Sequence, residues 1–221
     1  MWTLEKQGEV LIFRMDAGEN RFGGDSIRRW NEILDEAETL EGPKALVTTG
    51  TGKFYSNGLD LEYMQSGEVE PGPYVETVLA IMRRVLTFPA ITVAAMNGHA
   101  FGAGAQIALA HDYRIMRKDR GYFCMPEIDL GMPLHPGMTA LIQARLPIQT
   151  AHEVITTGTR YSGERALAQS IVDQVEDEAN VVSSAVELAA GLASKAAPVM
   201  SRLKAEMYPQ VVEAMASRMT P

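Results

Sequence analysis

The chain has 221 residues, 46% of them apolar and 22% charged, with a formal charge of −8. That length suits one domain with a sizeable core, and the acidic balance excludes a surface built for nucleic acid or an anionic membrane. Cys124 is the only cysteine, which excludes an internal disulfide and fits a reducing compartment.

Residues 2–7 and 9–15 are strand-like and joined through Gly8, which predicts a hairpin. Residues 18–24 are a turn-rich loop. Asp25 or Ser26 can cap a helix running through Ala37, with Ile27, Trp30, Ile33 and Leu34 on one face. Residues 44–49 read as a short buried strand. A Gly-rich turn follows, Phe54-Tyr55-Ser56-Asn57-Gly58-Leu59-Asp60, and leads into a short helix over 59–65. The Gly/Pro/Glu loop over 66–73 is expected to be mobile, and a helix over 74–86 turns Val78, Ile81, Met82 and Val85 inward. Pro89 opens a strand over 90–96, apolar enough to be buried on both faces.

A second Gly-rich turn, Asn97-Gly98-His99-Ala100-Phe101-Gly102-Ala103-Gly104, launches a helix through Ala110. Strands over 113–116 and 122–125 flank a charged turn at 117–120. Pro136 starts a helix toward Leu146. Beyond it helical patterns dominate, over 149–157, 163–170, 180–195 and 198–218. Strand–helix alternation followed by helices predicts a single α/β domain over 1–221, with a core over 1–170 and a short helical C-terminal part over 171–221. No apolar run reaches the length of a membrane span. The N-terminus lacks secretory or transit character, and Ser217 to Pro221 is not a peroxisomal address of the Ser-Lys-Leu kind, so the cytoplasm is expected.

Both Gly-rich turns lie where a strand passes into a helix. Such a junction leaves backbone N–H groups unpaired at the positive end of the helix. Two of them together could hold one oxygen that becomes negative during a reaction. Gly102 and Gly104 permit close approach of backbone to a ligand at Ala103, and serve a tight helix–sheet contact equally well. Asn57-Gly58 is a turn signal that makes Leu59 a candidate donor, or merely marks a surface turn. Glu127, in Met125-Pro126-Glu127 and flanked by apolar residues, is a carboxylate whose burial would make it a better base, with Asp129 as its competitor. His99, His111, His135 and His152 lack paired metal-ligand spacing. His111 suits a capping role, and His135 a loop or pocket wall. Neither a dinucleotide fingerprint nor a Gly-x-Ser-x-Gly elbow is present. Lys53, Arg83, Arg84, Arg117, Lys118 and Arg120 could supply a local basic patch for an anionic ligand.

Taken together, these residues resemble the enoyl-CoA hydratase/isomerase (crotonase) superfamily. The two Gly-rich motifs, then Ala110-His111-Asp112-Tyr113-Arg114-Ile115-Met116, then Phe123-Cys124-Met125-Pro126-Glu127-Ile128-Asp129-Leu130-Gly131, follow in the family's order over roughly 11–170. The resemblance implies a crotonase-like spiral of ββα units with C-terminal helices, a homotrimer or hexamer, and an acyl-CoA thioester as ligand. No metal or other cofactor is implied, because CoA is part of the substrate. By position, the amides of Leu59 and Ala103 would bind the thioester oxygen, Ala103 replacing the glycine of many members. Lys53, Ser56, Asn57, Gly58 and Asp60 would lie along the CoA groove, and Gly102 beside the thioester. Hydratases carry two glutamates, and this chain has Gln106 at the first position and Glu127 at the second. A lone base is similar to the Δ3,Δ2-enoyl-CoA isomerases, as is the stretch from His111 to Gly121. Another reaction on the same thioester (hydratase, hydrolase or decarboxylase) and a non-catalytic acyl-CoA binder are the alternatives.

Overall fold

The computed structural model describes residues 2–218, so Met219 to Pro221 of the C-terminal address discussed above lie outside the described residues. Strands β1 (Thr3–Gln7) and β2 (Val10–Met15) pair antiparallel about Gly8, which takes the left-handed φ of 60° that the tight turn requires. From β2 onward the large sheet is parallel. It continues through β3 (Ala45–Gly50), β5 (Ile91–Met96), β7 (Tyr113–Arg117) and β9 (Gln174–Glu176), in the order β1-β2-β3-β5-β7-β9. A second parallel sheet is made of very short strands, β4 (Phe54–Ser56), β6 (His99–Phe101) and β8 (Phe123–Cys124). Three times the chain runs from the large sheet to the small one and then into a helix. That repetition is the spiral of ββα units expected from the resemblance.

Helix α1 (Gly24–Thr39) follows β2. After β4 come α2 (Leu61–Gln65) and α3 (Pro71–Leu86), after β6 comes α4 (Ala103–Ala110), and after β8 come α5 (Glu127–Leu130), α6 (Pro136–Arg145), α7 (Ile148–Thr157) and α8 (Gly163–Ala168). The large sheet is buried on both faces. Leu11, Phe13, Met15, Leu46, Ala94 and Met96 meet the helices of the main core. Their alternates Val10, Ile12, Ala45, Val47, Val93 and Ala95 meet Val181, Ala185 and Ala189 of α9 (Val181–Leu192). The period-2 direction of side chains explains why these strands carry no polar face.

The structure corrects several predicted boundaries. Helix α1 starts at Gly24, not after Asp25 or Ser26. Ser26 serves it from the first turn, its Oγ accepting the Gly23 N–H at 2.8 Å. Helix α2 begins at Leu61 because the Asp60 carboxylate accepts the Tyr63 N–H, which makes Asp60 the N-cap and leaves Leu59 in the turn. Helix α3 takes in Pro71 as its first residue, shortening the predicted loop. Strand β9 lies in the region where helical patterns dominate, and three residues carry too little alternation to be read. The predicted 198–218 helix is two, α10 (Pro198–Met207) and α11 (Pro209–Ala216), since Pro209 lacks an N–H and pushes Tyr208 out of the helical region (φ −126°, ψ 46°). Lys204 pins α10 to the sheet by donating to the Asp112 carboxylate at 2.6 Å and the Ala90 carbonyl at 2.8 Å. Among the described residues, no helix is long and apolar enough to cross a membrane.

At the end of α4, His111 is fully buried. Its Nδ1 lies 2.8 Å from the Ile107 carbonyl, so that nitrogen carries the proton and His111 caps the helix. Nε2 then accepts from Thr48 Oγ1 at 2.9 Å, which in turn accepts from the Tyr55 hydroxyl at 2.7 Å. Burial holds the His111 pKa down at about 3, with the nearby Arg114 cation a lesser cause. The unfolded chain therefore binds a proton below about pH 6.5 that the folded one refuses, and stability falls by about 1.4 kcal/mol for each further pH unit down to the folded pKa. Urea unfolding of the wild type is expected to lose about 3 kcal/mol between pH 6.5 and pH 4 from this group alone. His111→Gln is expected to flatten that slope, and an unchanged slope would remove His111 as its source.

Candidate active site

The first Gly-rich turn is held from every side. Ser56 is buried, and its hydroxyl donates to the Asn20 carbonyl at 2.8 Å and accepts the Gly58 N–H at 3.3 Å. The Asn57 N–H donates to the Glu19 carbonyl at 2.8 Å, and the Gly58 carbonyl accepts the Phe22 N–H at 2.8 Å. The Asp60 N–H donates to the hydroxyl of Tyr74, which itself donates to the Phe22 carbonyl. The amides on either side of Leu59 are thus paired, while the Leu59 N–H makes no hydrogen bond among the described residues. Ala103, the first residue of α4, has an N–H in the same condition, because a helix offers its first amides no partner.

The small sheet brings the two turns into contact. Gly58 takes a φ of 83°, and a Cβ there would lie 2.6 Å from the Phe101 carbonyl oxygen and 3.0 Å from the Ala103 nitrogen. A Cβ at Gly104 would lie 2.2 Å from the Ser56 oxygen. Glycine is required at both positions for backbone to meet backbone. A Cβ on Gly102 would stand 3.4 Å from Oε1 of Glu127, so the carboxylate reaches the same junction.

Leu59, Ala103, Gly102, Asn57 and Glu127 line one cavity of about 440 Å³. The remaining wall is mostly apolar, including Leu61, Met64, Val75, Met132, Leu134 and Met138. Glu127 opens α5 after the short strand β8 and Pro126. Burial raises its pKa above the usual carboxylate range, against the smaller pull of its own backbone amide and of Gln106. Gln106 is fully buried, and its Nε2 donates to Oε1 of Glu127 at 3.3 Å. Two unpaired amides and a raised-pKa carboxylate on one apolar wall can polarise a carbonyl and take a proton from the carbon beside it.

Most of the other predicted residues lie outside the cavity wall. Asp129, the other candidate carboxylate, is exposed and approaches Gly158 rather than the cavity. Ser56 and Gly58 hold the turn from behind, and Asp60 caps α2. Lys53 is exposed, with its ammonium 5.2 Å from the centre of the Phe54 ring. None of these four lines the cavity. Arg84 and Arg117 are committed to carboxylates, Arg84 to Asp35 and Glu38, Arg117 to Asp119 and Glu178. They do not form the basic patch that composition allowed. Arg21 does reach the cavity, paired with Glu19 at 2.6 Å, and a lone arginine in a turn-rich loop gave no signal of it. His135 lines the cavity and also caps α6, its Nδ1 accepting the Gly137 N–H at 3.0 Å.

The family model "Enoyl-CoA hydratase/isomerase" matches residues 6–220, further at both ends than the motifs alone reach. Enoyl-CoA delta isomerase 2, peroxisomal, of Arabidopsis thaliana is 35% identical over 96% of this chain and 93% of its own length. Carnitinyl-CoA dehydratase of Salmonella paratyphi A is 34% identical over 74% of this chain and 62% of its own. Among solved structures, a probable enoyl-CoA hydratase, EchA3, of Mycobacterium tuberculosis superposes with a TM-score of 0.85 at 25% identity, covering 97% of this chain and 91% of that one. With the ββα spiral, both Gly-rich turns and the full-length match in agreement, the chain belongs to the enoyl-CoA hydratase/isomerase family.

Proposed function

We propose that the protein is a Δ3,Δ2-enoyl-CoA isomerase, converting a 3-enoyl-CoA thioester into the trans-2-enoyl-CoA. The thioester oxygen sits between the amides of Leu59 and Ala103. Glu127 removes a proton from C2, the C2–H electron pair delocalises into a dienolate, and the amides stabilise the negative oxygen. Glu127 then returns the proton to C4, and the double bond ends between C2 and C3. The observation that carries this reading is the buried carboxylate, Glu127, beside both unpaired amides, the cavity's other carboxylate, Glu62, being exposed. Adding water across a double bond calls for two groups to handle the water, and the second position here holds an amide, Gln106.

Asn57 and Gly102 contact the substrate at the mouth of the cavity, and Lys53 and Asp60 lie further along the CoA moiety. CoA is part of the substrate, and the reaction calls for no other cofactor. The proposal includes a homotrimer or hexamer, for which the exposed stripe Val199, Leu203 and Met207 on α10 offers an apolar contact face. Cytoplasmic placement belongs to the proposal as well, although the Arabidopsis relative is named as peroxisomal.

The likeness to carnitinyl-CoA dehydratase favours a second reading, water addition or loss on the same thioester. A panel of 3-enoyl-CoAs of varied chain length, run beside hydration of crotonyl-CoA, separates the two. Isomerisation well above hydration is expected, and the reverse order would reject the isomerase.

A further inference from the structure

Gln106 is the buried group that the proposed reaction leaves without a task. It is fully buried on α4, and one of its amide hydrogens reaches Oε1 of Glu127. Its own carbonyl oxygen and Oε2 of Glu127 are both buried with no hydrogen-bond partner among the described residues. Unpaired buried polar atoms are costly and rare, and two of them adjoin this one contact. The buried side chain stands directly beside the carboxylate, 3.3 Å from it.

We propose that Gln106 is a positioning residue for Glu127. It fixes the carboxylate through Oε1, the oxygen nearest the Gly102 junction, and keeps water from the group that carries the proton. This inference rests on the isomerase reading above. The C2–H bond breaks, its proton moves to the Glu127 carboxylate, and its electron pair enters the dienolate. The same proton then forms the new C4–H bond before solvent can replace it. An amide suits this task, since it donates to the charged carboxylate and cannot itself compete for the proton.

The test uses a 3-enoyl-CoA carrying two deuteriums at C2, turned over in ordinary water, with the product read for deuterium at C4. The wild type is expected to deliver most of the label. Gln106→Met keeps the volume and loses the donor. Its kcat is expected to fall about tenfold with KM within twofold, the loss of one hydrogen bond to a charged group. The acid limb of its kcat/KM is expected to move to higher pH, because the lost donor had favoured the ionised carboxylate. Arg21, Glu62 and His135 share the cavity and are common to both proteins. Cys124 feels the Glu127 charge, but burial lifts its thiol to about 11, outside that limb. Gln106→Ala opens room for water and is expected to replace the C4 label with solvent hydrogen.

Label delivery by a folded Gln106→Ala at the wild-type level would overturn the inference. So would a Gln106→Met with wild-type kcat and an unmoved limb, which decides the matter alone if the alanine variant does not fold. A wild type that turns over no 3-enoyl-CoA would instead reject the isomerase reading itself.

Discussion

Replacing Glu127 by glutamine is expected to lower kcat by about 10² to 10⁴, the range spanned by loss of a positioned acid–base group. The substitution preserves shape and leaves an oxygen for the Gln106 amide to reach, so KM is expected to hold. Stability is expected to hold or rise. Burial raises the Glu127 pKa, so the charged form is the one that the folded state disfavours. For an acid shifted upward, that cost is absent below the unfolded pKa and grows as pH rises to the folded one. A neutral glutamine removes it. A mutation that destroys activity while sparing or raising the melting temperature marks a residue kept for chemistry. Asp129→Asn is the matched control, an exposed carboxylate two residues away that is expected to leave kcat unchanged. Full activity of Glu127→Gln, or loss of activity with Asp129→Asn, would reverse the assignment of the base.

The second large effect is expected at Gly58. Alanine there would carry a Cβ 2.6 Å from the Phe101 oxygen and 3.0 Å from the Ala103 nitrogen, at a left-handed φ of 83°. The turns must separate, and the two amides with them. Losing one oxyanion donor costs about 10² to 10³ in rate, and Gly58→Ala is expected to fall in that range by kcat/KM on a 3-enoyl-CoA. Gly8 supplies the comparison, because it has a similar φ of 60° with nothing within 4 Å of its would-be Cβ. Gly8→Ala is expected to lose about 1 kcal/mol of stability from backbone strain and no activity. Equal activity of the two variants would mean that contact between the turns does not shape the site.

What the sequence revealed and what it hid divide along physical lines. Asn57-Gly58 and Gly102-Ala103-Gly104 were legible because a strand-to-helix junction is a local event with a local residue signature. The strand over 90–96 was legible because burial on both faces leaves a continuous apolar run. The contact between the turns was hidden, because the sheet that makes it has strands of two or three residues, too short for alternation to be seen. Glu127 and Gln106 stand 21 residues apart, and their bond depends on how β8 and α4 lie after folding. Arg21, Val75 and Met138 reach the cavity from three separate elements, and no local pattern ties them together. Lys53, Ser56 and Asp60 neighbour the cavity residues in sequence but stand outside the cavity wall, a difference of side-chain direction that the turn sets only after folding.

The most direct measurement is a crystal structure with a bound, unreactive acyl-CoA. The thioester oxygen is expected about 3 Å from the amide nitrogens of both Leu59 and Ala103, with the Glu127 carboxyl facing the α-carbon. A thioester oxygen bonded elsewhere, or an α-carbon out of reach of Glu127, would contradict the site described for this protein.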